Sequence, residues 1–181
     1  GGFQHERKTG LQNEEVEKIL KWFAYKSLFR GEYSFDKQFF VEALKDIKKA
    51  LGSKFDIDDL IYDLTVSTSL IVIDGLEYKF PHKSFQEYFT ASLIKDLDTD
   101  SKKALYELQF PTYTRKSKEL ENFWNLCFEL DKIHFLNFFV IKQLEDFLAQ
   151  VKNENHKTMA LKFCNATGYT PLAIFNFYSN D

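Results

Sequence analysis

The chain has 181 residues and a formal net charge of −3, so it can bury a hydrophobic core and carries no general attraction for nucleic acid or an anionic membrane. No apolar run approaches the roughly 20 residues that a membrane-spanning helix needs, so no membrane partner is expected. Twenty phenylalanines and nine tyrosines against only seven glycines predict a dense, aromatic, helix-rich interior.

The start of the chain and its cysteines predict a piece of a longer, cytoplasmic protein. Residues 1–3 offer neither a starting methionine nor a secretory signal. Cys127 and Cys164 lie in apolar helical patterns, as expected in a reducing compartment. With His134 and His156 they could notionally form a metal site, but no CxxC or HxxxH pair supports one. Buried thiols are the favoured interpretation, and no metal is expected.

Three helices are predicted in the N-terminal part of the chain. The first begins at Asn13, with acidic residues in its first turn, and ends at Gly31. Ser34 is expected to cap the second helix, which Gly52 terminates. Asp56 is expected to start a short third helix. The apolar residues of all three recur at helical spacing, which predicts one buried face for each.

The period then changes to that of a β-hairpin. Asp74-Gly75 stands between two apolar runs within residues 70–80, and this dipeptide tolerates the positive φ angles of a type I′ turn. Such a turn places Ile73 opposite Leu76. Three helices followed by a hairpin predict a winged helix.

The segment from Phe80 to Ala91 reads FPHKSFQEYFTA and is the most informative part of the chain. Ser84 and Glu87 have the spacing of a capping box at the start of a helix. His82 lies two residues before that cap, where unpaired amides and the helix dipole favour an anion such as phosphate. Four residues at helical spacing are predicted to anchor the helix inward: Phe85, Tyr88, Phe89 and Leu93.

The C-terminal part is predicted to be a helical bundle. Helices are expected over residues 100–109, 118–131, 133–151 and 156–166, with a last helix ending at Tyr178. Residues 96–99 and 110–117 are predicted connectors, because Pro111 opposes a helix. The 133–151 helix is apolar on most sides and is expected at the centre of the bundle. The predicted fold is therefore mainly α, with a winged helix over residues 1–97 joined to a helical bundle over residues 98–181.

The His82 segment also resembles a known family. The pattern F-x-H-x-S-F-Q-E-Y-F-x-A is similar to the segment after the wing in the winged-helix domain of NACHT-type NTPases of the STAND class. This class includes animal NLR proteins and bacterial antiphage proteins. The run from Gly2 to Ser34 is similar to the join between the NACHT ATPase module and that winged helix in bacterial members. The resemblance covers residues 2–96.

The resemblance implies a nucleotide-dependent switch. His82 would contact the β-phosphate of ADP held by an upstream NACHT module of the same chain, and so keep the protein closed and inactive. Lys83 is a weaker candidate for the same phosphate, because a solvated lysine at a helix start is the simpler interpretation. A phage or protein trigger sensed by the C-terminal region would allow exchange to ATP, self-oligomerisation and activation of an N-terminal effector in antiviral defence.

Catalysis is not expected in this chain. It contains no Gly-Lys-Ser/Thr phosphate-binding loop, because Lys26-Ser27 and Lys83-Ser84 lack the required glycines. Any ATPase activity would therefore belong to the parent protein, and ADP or ATP would bind only together with the upstream module.

Two alternatives stay open. The first is a transcription regulator whose winged helix binds DNA and whose helical bundle dimerises. Against it, the third helix has no lysine or arginine but carries four acidic residues: Asp56, Asp58, Asp59 and Asp63. Such a surface repels the phosphates that supply most affinity for DNA. DNA is therefore not an expected partner. The second is a helical scaffold without a ligand, in which His82 only caps a helix.

Overall fold

A computed structural model gives the structure of the chain, and residues 6–116, 119–152, 155 and 158 are described. The protein is mainly helical with one small three-stranded sheet. The helices are α1 (Asn13–Arg30), α2 (Lys37–Leu51), α3 (Ile57–Tyr62), α4 (Lys83–Asp96), α5 (Thr99–Lys116), α6 (Glu121–Leu130), α7 (Lys132–Phe135) and α8 (Ile141–Val151). The strands are β1 (Ser34–Phe35), β2 (Val72–Asp74) and β3 (Glu77–Lys79), and π-helical turns span Asp63–Ser67 and Leu136–Val140.

Contacts between residues divide the chain into two compact units. The first consists of Gly1–Leu97 and Glu121–Asp131, and the second of Asp98–Leu120 and Lys132–Asp181. The predicted division at residues 97 and 98 placed α6 with the C-terminal part, whereas α6 packs on α4 in the first unit. α6 also contacts α1, because Phe29 on α1 and Phe123 on α6 pack edge to face with ring centroids 5.5 Å apart.

The structure confirms α1 and corrects the start of α2. The amide of Gly31, at φ +76°, donates to the carbonyl of Leu28 and ends α1 in the left-handed conformation that glycine favours. Asp36 caps α2, because its carboxylate accepts a hydrogen bond from the amide of Phe39 at 2.7 Å. The prediction that Ser34 caps this helix is wrong. Ser34 belongs to β1, where its backbone lies in the sheet.

The predicted helix boundaries around residue 55 are confirmed. Gly52, at φ +62°, ends α2 in the left-handed conformation. Asp56 caps α3, and its carboxylate accepts from the amides of Asp58 and Asp59 at 2.9 and 3.2 Å. The π-helical turn that continues α3 begins at Asp63.

The hairpin exists, but its register differs from the predicted one. Asp74 pairs with Glu77, so the two-residue loop is Gly75-Leu76, and the predicted pairing of Ile73 with Leu76 is wrong. Gly75 has φ +64° while Leu76 does not have a positive φ, which fits a type II′ turn with glycine at its first central position. As a result, Ile73 and Leu76 are 57% and 91% exposed.

β3 lies in the middle of the sheet, between β1 and β2, and both pairings are antiparallel. The aromatic centre of the first unit lies beside it. The ring of Phe23 on α1 is 4.9 Å from both Phe35 and Phe40 and 5.9 Å from Phe80. All four are buried, so one aromatic cluster connects α1, α2, the sheet and the residues before α4.

The second unit differs from its prediction in two places. α5 runs through Pro111, so the predicted connector over residues 110–117 is wrong. Proline removes its own backbone donor and crowds the carbonyl four residues before it, which disfavours a helix but does not always end it. The predicted 133–151 helix corresponds to α7, a π-helical turn and α8. Phe135 and Phe139 are buried. The segment is nevertheless not buried on most sides, because three apolar side chains of α8 are at least 45% exposed: Ile141, Leu144 and Leu148.

The last predictions from the sequence concern two C-terminal helices and the membrane. Apart from residue 158, the predicted helix over residues 156–166 lies outside the described residues, and so does the last helix ending at Tyr178. Among the described helices, none combines the length and apolar content needed to cross a bilayer.

Candidate functional site

The candidate site is the start of α4, where His82 is the N-cap residue. The imidazole Nδ1 accepts the amide hydrogen of Ser84 at 3.2 Å and lies 2.8 Å from the Ser84 hydroxyl oxygen. The cap is therefore His82 and not Ser84, and the helix starts two residues earlier than the predicted capping box requires. The His82 side chain is exposed, so groups outside the unit can reach it.

The two contacts with Ser84 determine how His82 can bind. Because the Ser84 amide and hydroxyl both donate to Nδ1, the hydrogen of the neutral ring is assigned to Nε2. Nε2–H is then the donor that is left for an acceptor outside the unit. The helix dipole and the first-turn amides of α4 favour an anionic acceptor at this position.

Lys83, the second candidate, is engaged by the protein itself. Its ammonium nitrogen lies 3.4 Å from a carboxylate oxygen of Glu87 and 4.8 Å from the ring centroid of Tyr33. Glu87 is buried, so the lysine compensates a carboxylate that has left water. The structure thus gives Lys83 partners within the unit, namely the Glu87 carboxylate and the Tyr33 ring.

Glu87 does not complete a capping box. Its carboxylate instead accepts a hydrogen bond from the side-chain amide of Asn122 on α6 at 2.5 Å. The spacing of Ser84 and Glu87 predicted a bond back to the helix start, but Glu87 turns towards α6, a helix that is more than thirty residues away along the chain. Sequence spacing carries no information about such a distant partner.

Gln86 joins α4 to the end of α1. Its amide nitrogen donates to the Ser27 hydroxyl at 2.7 Å and to the carbonyl of Glu32 at 2.8 Å. Gln86 and Ser27 are both buried. Two residues of the motif, Gln86 and Glu87, therefore hold α4 against α1 and α6, which fixes the helix that carries His82.

The predicted inward face of α4 is only half correct. Phe89 and Leu93 are buried, but Phe85 and Tyr88 are 42% and 46% exposed, so the prediction that these two belong to the core is wrong. Their places on the buried face are taken by polar side chains with partners, such as Thr90, whose hydroxyl donates to the carbonyl of residue 86 at 2.7 Å. Hydrophobic spacing alone could not identify this face.

Asp63 has a structural role that sequence reasoning missed. Its fully buried carboxylate accepts hydrogen bonds from the amides of Lys8 and Thr9 at 2.7 and 3.0 Å and from the Thr9 hydroxyl at 2.6 Å. Burial alone would raise the pKa of the Asp63 carboxyl, but the bonds from Thr9 and Lys8 outweigh it and hold this pKa below its usual range. The residues next to Asp63 in the sequence do not show that it is buried, because its partners lie in a distant segment, Lys8-Thr9.

A cleft of about 400 Å³ lies between α1 and the end of α4. Lys21 crosses it, with its ammonium nitrogen 2.6 Å from Glu17 and 2.7 Å from Asp96. Burial lowers the pKa of Lys21, but the two carboxylates outweigh burial and raise this pKa overall. The charge of Lys21 is thus balanced by Glu17 and Asp96, and these ion pairs link α1 to the end of α4. We assign no further chemistry to the cleft.

The surface that a DNA-binding winged helix would use is not basic. α3 carries Asp58 and Asp59 and no lysine or arginine. On the hairpin, Lys79 forms an ion pair with Asp74, and this ion pair also lowers the pKa of the Asp74 carboxyl. Neither element therefore offers uncompensated positive charge for phosphates.

The notional metal ligands are not brought together in the described part of the chain. Cys127 is buried on α6, and Cys164 and His156 lie outside the described residues. Within residues that the structure describes, no group of three or more His, Cys, Asp or Glu side chains has the arrangement of a metal site.

The chain matches no model of a known protein family, no curated protein and no solved structure. Its likeness to NACHT-type NTPases therefore depends on the His82 segment and on the run before α1. A functional proposal has to be supported by the geometry of those residues.

Proposed function

We propose that the chain is the regulatory C-terminal part of a NACHT-type STAND NTPase, in which His82 senses the nucleotide held by an upstream ATPase module. The observation that supports this best is the exposed His82 ring at the start of α4, with Nδ1 engaged by Ser84 and Nε2–H left as a donor. Phosphate is a suitable acceptor, because the helix dipole adds favourable charge at the same place.

The proposal includes a winged-helix fold for the first unit. Its support is the element order, with α1, α2 and α3 followed by the β2–β3 hairpin and then α4. The short strand β1 pairs with β3, which adds the third strand that a winged helix commonly has. In this arrangement His82 lies directly after the wing.

The mechanism is a bias between two domain arrangements. ADP bound by the upstream module accepts the hydrogen bond from His82 and favours a closed monomer, and a charge-assisted bond of this kind contributes about 1.5–3 kcal/mol. A phage or protein trigger that acts on the C-terminal region weakens the contact. Exchange to ATP then permits self-oligomerisation and effector activation in antiviral defence, in the cytoplasm.

A DNA-binding regulator is the competing function, and its charge requirement is not met by α3 or by the hairpin. The acidic residues of α3 and the ion pair of Lys79 with Asp74 both oppose it. We therefore keep the nucleotide switch as the proposal.

The test uses the full-length gene product and two substitutions at one position. His82→Asp keeps an N-cap acceptor for the Ser84 amide but places a carboxylate where the phosphate would bind. His82→Ala removes both the cap and the donor. We expect ADP release to be at least about tenfold faster in both variants, from the loss of one charge-assisted bond, and the basal oligomer fraction to rise, with thermal stability preserved only in His82→Asp.

Ser84→Ala is the matched control, because it removes the hydroxyl contact with Nδ1 and leaves Nε2–H in place. This variant is expected to retain ADP like the wild type. A full-length product without a phosphate-binding loop would overturn the proposal. Wild-type ADP release and an unchanged monomer fraction in His82→Asp would do the same.

A further inference from the structure

The segment before α1 lies against the end of α3 through a few polar contacts. Asp63 accepts three hydrogen bonds from Lys8 and Thr9, and the Lys8 ammonium lies 3.9 Å from the ring centroid of Tyr62. The Ser67 hydroxyl is 3.4 Å from the carbonyl of Glu6. Residues 6–9 are thus held by one face of residues 62–67.

Hydrogen bonds within this segment, and from it to the first residue of α1, fix how the segment joins α1. Thr9 accepts the amide hydrogen of Leu11 on its hydroxyl oxygen at 3.2 Å, and Gly10 has φ +67°, which allows the chain to turn. Arg7 donates to the carbonyl of Leu11 at 3.0 Å and to the side chain of Asn13 at 2.5 Å. The direction in which the chain enters α1 is therefore set by the same contacts.

We propose that residues 6–11 form a strap that Asp63 latches to the end of α3, and that this strap opens locally while the rest of the first unit stays folded. Glu6, Lys8 and Gly10 are exposed, and Leu11 is the buried apolar side chain of the strap. Because the strap buries little apolar surface, its closure depends mainly on one carboxylate, and opening requires less free energy than unfolding of the unit.

The strap controls how anything that precedes residue 6 is oriented on the first unit. With the latch closed, Lys8 lies beside Tyr62 and Glu6 beside Ser67; with the latch open, residue 6 is tethered to the unit only through α1. This inference does not depend on the nucleotide proposal, because it concerns contacts within the chain and needs no ligand.

Trypsin offers a direct test, because it cleaves after Arg7 and Lys8 and the scissile segment must leave its bound conformation first. We measure cleavage of the 181-residue chain at these two bonds and, as an internal reference, after Lys18 and Lys21 within α1. Asp63→Asn is expected to speed cleavage of the strap by about tenfold or more, and the strap bonds should still be cut much faster than the α1 bonds of the same variant.

Two further variants complete the design. Thr9→Val keeps the carboxylate but removes one of its three bonds, and it should give an intermediate, severalfold increase even where Asp63→Asn folds poorly. Asp58→Asn, which removes an exposed charge from the same helix, should leave the strap at its wild-type rate.

The urea dependence of cleavage distinguishes local opening of the strap from unfolding of the whole first unit. Local opening predicts strap cleavage that is insensitive to low urea, whereas cleavage within α1 rises with urea. If the wild-type strap bonds are cut as fast as in an unfolded peptide of the same sequence, or if strap cleavage and α1 cleavage have the same urea dependence, the proposal is wrong. None of these results involves ADP, so they leave the role of His82 to its own experiment.

Discussion

Gln86 on α4 donates a hydrogen bond from its side-chain amide to the hydroxyl of Ser27 on α1, and the two atoms are 2.7 Å apart. Both side chains are buried, and the same amide nitrogen also reaches the carbonyl of Glu32. Ser27 in turn donates to the carbonyl of Phe23 at 2.9 Å. A chain of buried polar groups therefore joins the helix that carries His82 to the aromatic core.

Gln86→Ala removes the donor of this chain. We expect the free energy of unfolding to fall by about 2–4 kcal/mol, because the Glu32 carbonyl loses its partner and a cavity forms. Both tryptophans, Trp22 and Trp124, lie in the first unit, so urea unfolding followed by fluorescence reports on it. Ser27→Ala, which leaves the bond to Glu32 intact, should lose only about 1 kcal/mol. Equal losses in the two variants would contradict this assignment.

The difference in exposure between two phenylalanines predicts losses of stability of different size. Phe85 is 42% exposed, whereas Phe40 is fully buried and its ring is 4.9 Å from that of Phe23. Phe40→Ala is expected to lower the free energy of unfolding by about 3–5 kcal/mol, and Phe85→Ala by about 1 kcal/mol or less. The comparison is made by urea unfolding at equal protein concentration. A loss at Phe85 as large as that at Phe40 would place Phe85 in the core.

The sequence predicted those features that depend on neighbouring residues. Glycines 31 and 52 end their helices in the left-handed conformation, and Asp56 caps α3, because each acts on backbone groups within a few residues. The hairpin was found for the same reason. Its register was not, because Asp74-Gly75 and Gly75-Leu76 are both acceptable two-residue loops and the exposed side chains next to them give no preference.

The candidate site shows the limit of such reasoning. Spacing placed His82 two residues before the cap of a helix; a helix does begin there, but His82 is itself the cap. Spacing also suggested a bond from Glu87 to Ser84, but the buried carboxylate found Asn122, a partner distant in sequence. Asp63 was counted among the acidic surface residues of the third helix, which is wrong because it is buried; its partners precede it by more than fifty residues. Tertiary hydrogen bonds of this kind leave no periodic signal.

The bond between Glu87 and Asn122 gives a prediction for α6. Asn122→Ala leaves the buried Glu87 carboxylate without this donor, so we expect the free energy of unfolding to fall by about 1–3 kcal/mol. Replacing both residues by Glu87→Leu and Asn122→Leu should restore part of the loss, because no buried polar group is then left unpaired. A double variant less stable than the sum of the single ones would show that the bond is not the relevant interaction. Urea unfolding of the wild type, Asn122→Ala, the two single leucine variants and the double leucine variant measures these effects, and the last three with the wild type give the coupling.

The buried carboxylate of Asp63 also sets a dependence of stability on pH. Its pKa is below the usual range in the folded protein, despite burial, because Thr9 and Lys8 donate to the ionised form. A group with a lowered folded-state pKa contributes stability at every pH above its unfolded-state pKa of about 3.9, and that contribution is lost as pH falls through the folded-state pKa. The contribution is therefore complete at neutral pH and disappears in acid.

We expect Asp63→Asn to lower the free energy of unfolding at pH 7 by about 2–3 kcal/mol and to flatten its decrease between pH 5 and pH 2, because a neutral amide replaces the titrating group. Asp46→Asn is the control: the pKa of that carboxyl is lowered by Lys26, but both side chains reach solvent, so added salt should remove most of its effect. The effect of Asp63 should persist in 0.5 M sodium chloride, since its partners are backbone amides and a hydroxyl. Urea unfolding across this pH range measures both, and an acid transition that is identical in Asp63→Asn and the wild type would show that other carboxylates govern it.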